Sequence, residues 1–314
     1  MKQAGHENGK LSAWGIFGIA CFSTPCQSAR VNWQFTALTL AATFAGLLVL
    51  EQIFPLRPRT TALLKRLWVN LAIAALAFLT ASLLVKPLGR LALHWASQKT
   101  FGLFQWIPLP APLKFVAGFL LMDLSFYYWH RANHLLPFLW RFHNVHHIDG
   151  DLDVSTAFRF HFGEILFSAA FRIVQILLLG VSGWTYAIYE LVFQANTMFQ
   201  HSNVRLPIGL ERLLNAILVT PRMHAIHHSQ VQRETDSNFS SVFPWWDRLH
   251  RSLELGIPQS SIVIGVPAYT GQEDRNFWQS LRLPFVRQRD YWRKPGGEAP
   301  ARPASKEFPR RLQE

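Results

Sequence analysis

The stretch VNWQFTALTLAATFAGLLVL, Val31–Leu50, carries no charged residue over 20 positions. A helix of that length is about 30 Å long, enough to cross the hydrocarbon core of a bilayer. It ends at Glu51-Gln-Ile-Phe-Pro-Leu-Arg-Pro-Arg59, and a second run follows at Leu67–Val85, charge-free for 19 residues and bracketed by Lys65-Arg66 and Lys86. Both read as spanning helices, because a soluble surface helix keeps one polar face. Phe115–Trp129 is a third apolar run, broken by Asp123, and it leads directly to His130. Phe162–Gln200 is about twice a single span, with Gly180, Ser182 and Gly183 marking a turn near its middle. Arg172 and Glu190 interrupt that pair and are expected to face the bundle interior or a polar boundary. Phe101–Leu113, with Pro108, Pro110 and Pro112, reads as an interfacial loop. The expected fold is all-α: a polytopic membrane bundle of about four to five membrane helices under a histidine-rich cap.

Composition agrees. Of 314 residues, 50% are hydrophobic and only 16% charged, with 25 Phe and 12 Trp suited to lipid contact and interfacial anchoring. The net charge of +12 could suit nucleic acid or anionic lipid, but no recognition helix or finger spacing organises the basic residues. Cys21 and Cys26 are too few for a disulfide framework or a zinc-thiolate site. Leu11–Phe22 is short and lacks a small-residue cleavage site, so residues 1–30 read as a poorly ordered leader. Residues 31–114 are then N-terminal transmembrane helices with the interfacial loop, 115–250 a catalytic domain, and 251–314 a C-terminal cytoplasmic extension ending in a basic tail. Arg57, Arg59, Lys65 and Arg66 place the first loop in the cytoplasm, although Lys86, Arg90, Lys99 and Lys114 then fall opposite. On that topology His130 and His201 emerge on the same side as the first loop.

Ten of the 13 histidines lie between positions 130 and 228. His130 and His134 form HxxxH; His143, His146 and His147 form HxxHH; His224, His227 and His228 repeat HxxHH. Residues three and four apart share a helical face, so each cluster can present its imidazoles together. One such histidine would most simply be a polar residue at a membrane surface; three clusters in one chain point to metal. Eight motif imidazoles exceed one tetrahedral zinc and suit two ions of higher coordination number. Imidazole accepts iron, zinc, copper or nickel, so ligand type does not choose among them. His161 and His201 are open between ligand and satisfied interfacial histidine.

These motifs resemble the fatty acid hydroxylase superfamily, also called the sterol desaturase family. The resemblance rests on Asp123-Leu-Ser-Phe-Tyr-Tyr-Trp-His130-Arg-Ala-Asn-His134, Leu139-Trp-Arg-Phe-His143-Asn-Val-His146-His147, Phe160-His161-Phe-Gly-Glu164, Phe199-Gln-His201-Ser-Asn203, Pro221-Arg-Met-His224-Ala-Ile-His227-His228-Ser, Asn238 and Trp246-Asp247-Arg-Leu. It covers Phe115–Leu249, departing where members often have His-Pro at the position of His161-Phe162. It implies an integral-membrane, non-haem di-iron oxidase that uses O2 to hydroxylate or desaturate a lipid. The eight motif histidines are its implied ligands, and His161 and His201 match accessory positions. Zinc can take the place of iron on purification. Metal-bound imidazoles commonly donate their second N–H to a carboxylate, for which Asp123, Glu164 and Asp247 are the candidates; the alternatives are a cap, an ion pair or an interfacial charge. No flavin, nicotinamide or thiolate motif is present, so electrons are expected from a separate reductase or small redox carrier. A histidine-rich metal transporter would spread its ligands along the mid-membrane spans, and a zinc-dependent membrane hydrolase would need a general-base glutamate within the motifs, which the chain lacks.

Overall fold

The computed structural model describes residues 33–302; the leader with Cys21 and Cys26, and the basic tail from residue 303, lie outside the described residues. Among the described residues the chain is helical, with only isolated bridges at Pro55–Val204 and Ser229–Ile264. The long helices are α1 (Trp33–Ile53), α2 (Leu63–Thr80), α3 (Lys86–Lys99), α5 (Ala111–Leu135), α7 (Phe162–Leu179) and α8 (Gly183–His201). Between and after them come α4 (Leu103–Trp106), α6 (Pro137–His147), α9 (Ile208–Asn215), α10 (Pro221–His227), α11 (Gln232–Thr235), α12 (Trp245–His250) and α13 (Phe277–Arg282).

Among the described residues, three helical stretches are long and apolar enough to cross a membrane: Gln34–Ile53, Leu63–Trp106 and Phe162–Leu179. α5 and α8 are as long, but they turn polar side chains inward, including Asp123 and Asn133 on one and Asn196 and Gln200 on the other. Leu38, Leu64, Trp68, Leu79, Val174 and Leu178 point outward and exposed, the reverse of a soluble protein. Arg172 and Glu190 pair with each other between α7 and α8, with the guanidinium 5.0 Å from the Phe126 ring centroid. The second span runs 14 residues beyond Val85 as α3. Pro87 lacks an N–H and crowds the carbonyl four residues back, and the π-helical turn Ala81–Val85 widens the helix there.

Both ends of the bundle are clasped. Away from the histidines, Gly102 (φ +109°) lies against Gly180 (φ +62°), so that a Cβ on Gly102 would fall 2.5 Å from the Gly180 nitrogen. Only glycine permits that backbone approach and that φ. At the other end, Leu56 N–H donates to Asn203 O (2.7 Å) and Arg205 N–H to Phe54 O (2.7 Å). The buried Glu51 carboxylate accepts from Val154 N and Asn203 N. Arg66, at the start of α2, is buried against Asp149 (2.7 Å) and Asp153. The first loop, the α6–α7 connection and the end of α8 therefore meet at the histidine end, as the loop charges suggest. The segment 251–302 packs back over this end: Ile262, Ile264, Val266 and Tyr269 are buried, and Trp292 stacks on Trp140 at 5.7 Å.

Candidate metal centre

α5 delivers His130 and His134 on its last turns, α6 carries His143, His146 and His147, α8 ends at His201, and α10 with its cap residue supplies His224, His227 and His228. The rings sort into two groups whose ligand atoms lie within 4.8 Å of one another: His130, His134, His143, His147 and His227; and His146, His201, His224 and His228. Each HxxHH motif divides between them. On a helix, positions i and i+4 are about 40° apart in azimuth, whereas i+3 falls about 60° the other way. His143 and His147 therefore enter the first group with His146 in the second, and α10 does the converse, giving His224 and His228 to the second group and His227 to the first. Facing helices carrying the same motif thus build complementary halves.

The surroundings fix the tautomers. His130 Nδ1 donates to Phe239 O, His227 Nδ1 to Ser237 O and His201 Nδ1 to Thr197 O, each at 2.7 Å, because a carbonyl can only accept. His143 Nδ1 lies 2.8 Å from Glu164 Oε1. In the neutral ring the Nε2 lone pair is then the free one. Nε2 of His134, His143, His147 and His227 is buried without a protein partner. In the second group Nε2 of His201 lies 3.0 Å from that of His146 and 2.9 Å from that of His224, and Nε2 of His228 lies 3.1 Å from that of His224. Nitrogens about 2.1 Å from one ion and at right angles to each other sit about 3.0 Å apart. Buried lone pairs converging at this spacing fit a cation. Burial, followed by repulsion from neighbouring imidazoles, holds His146, His147, His224 and His228 well below the usual histidine range, and His227 falls to about 3. The rings are neutral and available as ligands at pH 7.

Asn238 supports this arrangement from a loop. It adopts φ +54°, a region in which asparagine is enriched, and its amide bonds Met223 O (2.9 Å), Glu254 O (2.7 Å) and Glu254 N (2.8 Å). The twist lets the neighbouring carbonyls of Ser237 and Phe239 reach His227 and His130.

The remaining expected residues fall as follows. His161 lies in neither group; it caps α7, accepting from Gly163 N at 3.0 Å, and its Nε2 faces Leu281 O at 3.2 Å. Glu164 touches His143. Asp247 touches no histidine but accepts from Phe239 N and Ser240 N, both at 2.9 Å, and so holds the carbonyl that orients His130. Asp123 is bonded to Phe243 N (3.1 Å) and Trp246 Nε1 (2.7 Å), away from the rings. Sequence reasoning missed Arg159, buried with its Nε on Val145 O (2.9 Å) in the last turn of α6 and its Nη1 on Asn70 Oδ1 (2.9 Å). It also missed the aspartates Asp149 and Asp153 that hold Arg66. The Asp-Gly-Asp-Leu-Asp run directly after HxxHH was the available signal.

The bundle and its converging buried histidines define a class, that of histidine-rich membrane proteins able to bind metal. Residues 115–252 match the family model described as fatty acid hydroxylase. All nine grouped histidines lie inside the match. The chain is 33% identical over 188 residues to the ornithine lipid hydroxylase OlsE of Rhizobium tropici, covering 59% of this chain and 53% of the relative. It is 29% identical over 164 residues to human alkylglycerol monooxygenase, covering 51% and 34%. It is also 27% identical over 132 residues to human cholesterol 25-hydroxylase, covering 41% and 47%. The matches therefore span about half or less of these curated relatives. No solved structure matches the chain.

Proposed function

We propose that the protein hydroxylates a membrane lipid at a C–H bond, using O2 and two iron ions held by the nine grouped histidines. The observation that carries this reading is the pair of buried, converging imidazole groups at the mouth of an apolar bundle. His130, His134, His143, His147 and His227, with His146, His201, His224 and His228, would hold the two irons, which would supply the redox chemistry for reducing O2. The overall change balances as R–H + O2 + 2 electrons + 2 protons giving R–OH + H2O, with a separate reductase or small redox carrier as the reductant.

The chain's own residues do the rest. Carbonyls 237 and 239 and Glu164 hold rings in register, which raises their basicity toward metal. Burial excludes water, and the exposed apolar helix faces put lipid beside the bundle that holds the site. Relatives named for ornithine lipid, alkylglycerol and cholesterol share lipid hydroxylation and differ in lipid, which supports hydroxylation over desaturation. The cationic first loop at the histidine end supports a cytoplasmic position for the site. His161 caps a helix in this reading and is not a ligand; Asp247 positions His130 through Phe239.

The test is His146→Ala in a reconstituted assay with an electron donor, followed by incorporation of 18O from labelled O2 into lipid. Loss of labelled product is expected. Full activity in the variant would overturn the assignment.

A further inference from the structure

We propose that residues 208–219 and 242–250 form a re-entrant layer embedded in the lipid beside α5 and α8, although neither segment has the length or composition of a membrane span. Depth along two helices places them there. Phe243 and Trp246 bond Asp123, and Phe243 packs on Phe119 at 5.9 Å. These residues precede His130 on α5 by about 10 and 16 Å of helical rise. On α8, Asn196 Nδ2 donates to Ser241 O at 2.7 Å, about 7 Å before His201. The loop thus descends from the histidine level toward the middle of the bundle.

Irregular backbone is tolerated at membrane depth only where its polar groups are satisfied by protein. Here they are satisfied, and by the polar residues that interrupt otherwise apolar helices. Asp123 takes Phe243 N, Asn196 takes Ser241 O, Val219 N donates to Val242 O (2.9 Å), and Trp245 Nε1 donates to Ala216 O (2.8 Å). The intramembrane carboxylate of α5 therefore has a structural task distinct from the metal site.

α9 is inside out. Glu211 and Asn215 are buried, the first accepting from Arg222 Nε (2.7 Å) and the second donating to Met223 Sδ (3.2 Å). Leu210, Leu213 and Ile217 face outward, joined by Trp245 and Leu249 of α12. A helix that buries its carboxylate and exposes its leucines is patterned for an apolar surround. This face is continuous with the lipid-facing flank of α5, where exposed Tyr128 bonds His250 of α12 at 2.7 Å. Arg248, anchored on Asn215 O at 2.7 Å, and exposed Arg212 lie at its edge, where arginine can reach anionic headgroups. Because the polar face of α9 grips α10, the lipid-embedded layer directly braces the helix bearing His224 and His227.

The proposal rests on the membrane reading alone and is tested without metal or turnover. Single cysteines are introduced at Leu213→Cys, Leu249→Cys and, as an exposed cap reference, Arg293→Cys, with Cys21→Ser and Cys26→Ser, in nanodiscs. A charged maleimide should label positions 213 and 249 at least about tenfold more slowly than 293, and a nitroxide there should be relaxed more by O2 than by a water-soluble nickel chelate. Labelling within about twofold of position 293, with chelate-dominated relaxation, would make the face aqueous and overturn the proposal. If either variant fails to fold, Ile217→Cys on the same face takes its place with the same two outcomes.

Discussion

The five-histidine and four-histidine groups use the same ligand but differ in what stands behind it. In the first, Phe239 O backs His130, Ser237 O backs His227 and Glu164 backs His143, while an Asp236 oxygen lies 3.8 Å from His134 Nδ1. In the second, among the described residues only His201 has an acceptor, Thr197 O of its own helix; Nδ1 of His146, His224 and His228 is buried with no partner among them. Outer acceptors fix ring orientation and raise basicity. One histidine group is therefore braced by the protein, and the other has a single such acceptor. Two equal sites would have needed a second loop like 237–239, and among the described residues the four-histidine group has only Thr197 O.

The largest effect is expected from removing a ring from each side. His227→Ala and His224→Ala should each abolish lipid oxidation by about two orders of magnitude or more, beyond the loss typical of outer-sphere changes. Metal analysis should show one ion lost in each variant, from different sites. Glu164→Gln comes next: it should weaken metal binding in the five-histidine group by about 10–100-fold and leave the other group unchanged. Titration with a spectroscopically distinct metal such as Co2+ would show one binding phase shifted and one fixed; equal shifts in both phases would erase the comparison. A chelator should then empty the four-histidine group about tenfold sooner than its neighbour, visible as biphasic metal release.

The asymmetry could not have been read from the sequence, although the fold largely could. Uncharged runs marked the spans because helices in lipid must be apolar outside, and Gly180 with Ser182 marked the α7–α8 turn. The ligand types were legible from HxxxH and HxxHH, but the partition of each HxxHH between two groups depends on how α6 and α10 face each other. His161 looked the same in sequence whether ligand or cap, because the N–H it accepts from belongs to a helix start just two residues on. Asp123 looked like a partner of His130, one helical face away, until a loop 120 residues later took its oxygen. Arg66 read as a topology charge, since its acidic partners lie more than 80 residues along the chain.

A smaller effect concerns acid. Histidines held neutral by burial bind fewer protons folded than unfolded, so stability rises with pH between the folded value, about 3 for His227, and the unfolded value of 6.5. Asp236, pushed by burial up to about 6, and Asp247 and Glu211, also raised by burial, act in the opposite sense above their ordinary values, but they are fewer than the buried histidines. Metal-free protein should therefore unfold more readily as pH falls below 6.5 and be flat above it in this respect; a thermal melt series checks the slope. Metal should steepen the loss, since protons then compete for the same Nε2 atoms.

The central claim is that nine imidazoles hold two irons for lipid oxidation, and metal counting under turnover conditions tests it most directly. Protein reconstituted anaerobically with Fe2+ should bind two irons per chain and consume O2 only with lipid and an electron donor, with the count falling to one in His224→Ala. A wild-type count of one, or two irons with no lipid-dependent O2 uptake, would contradict the account.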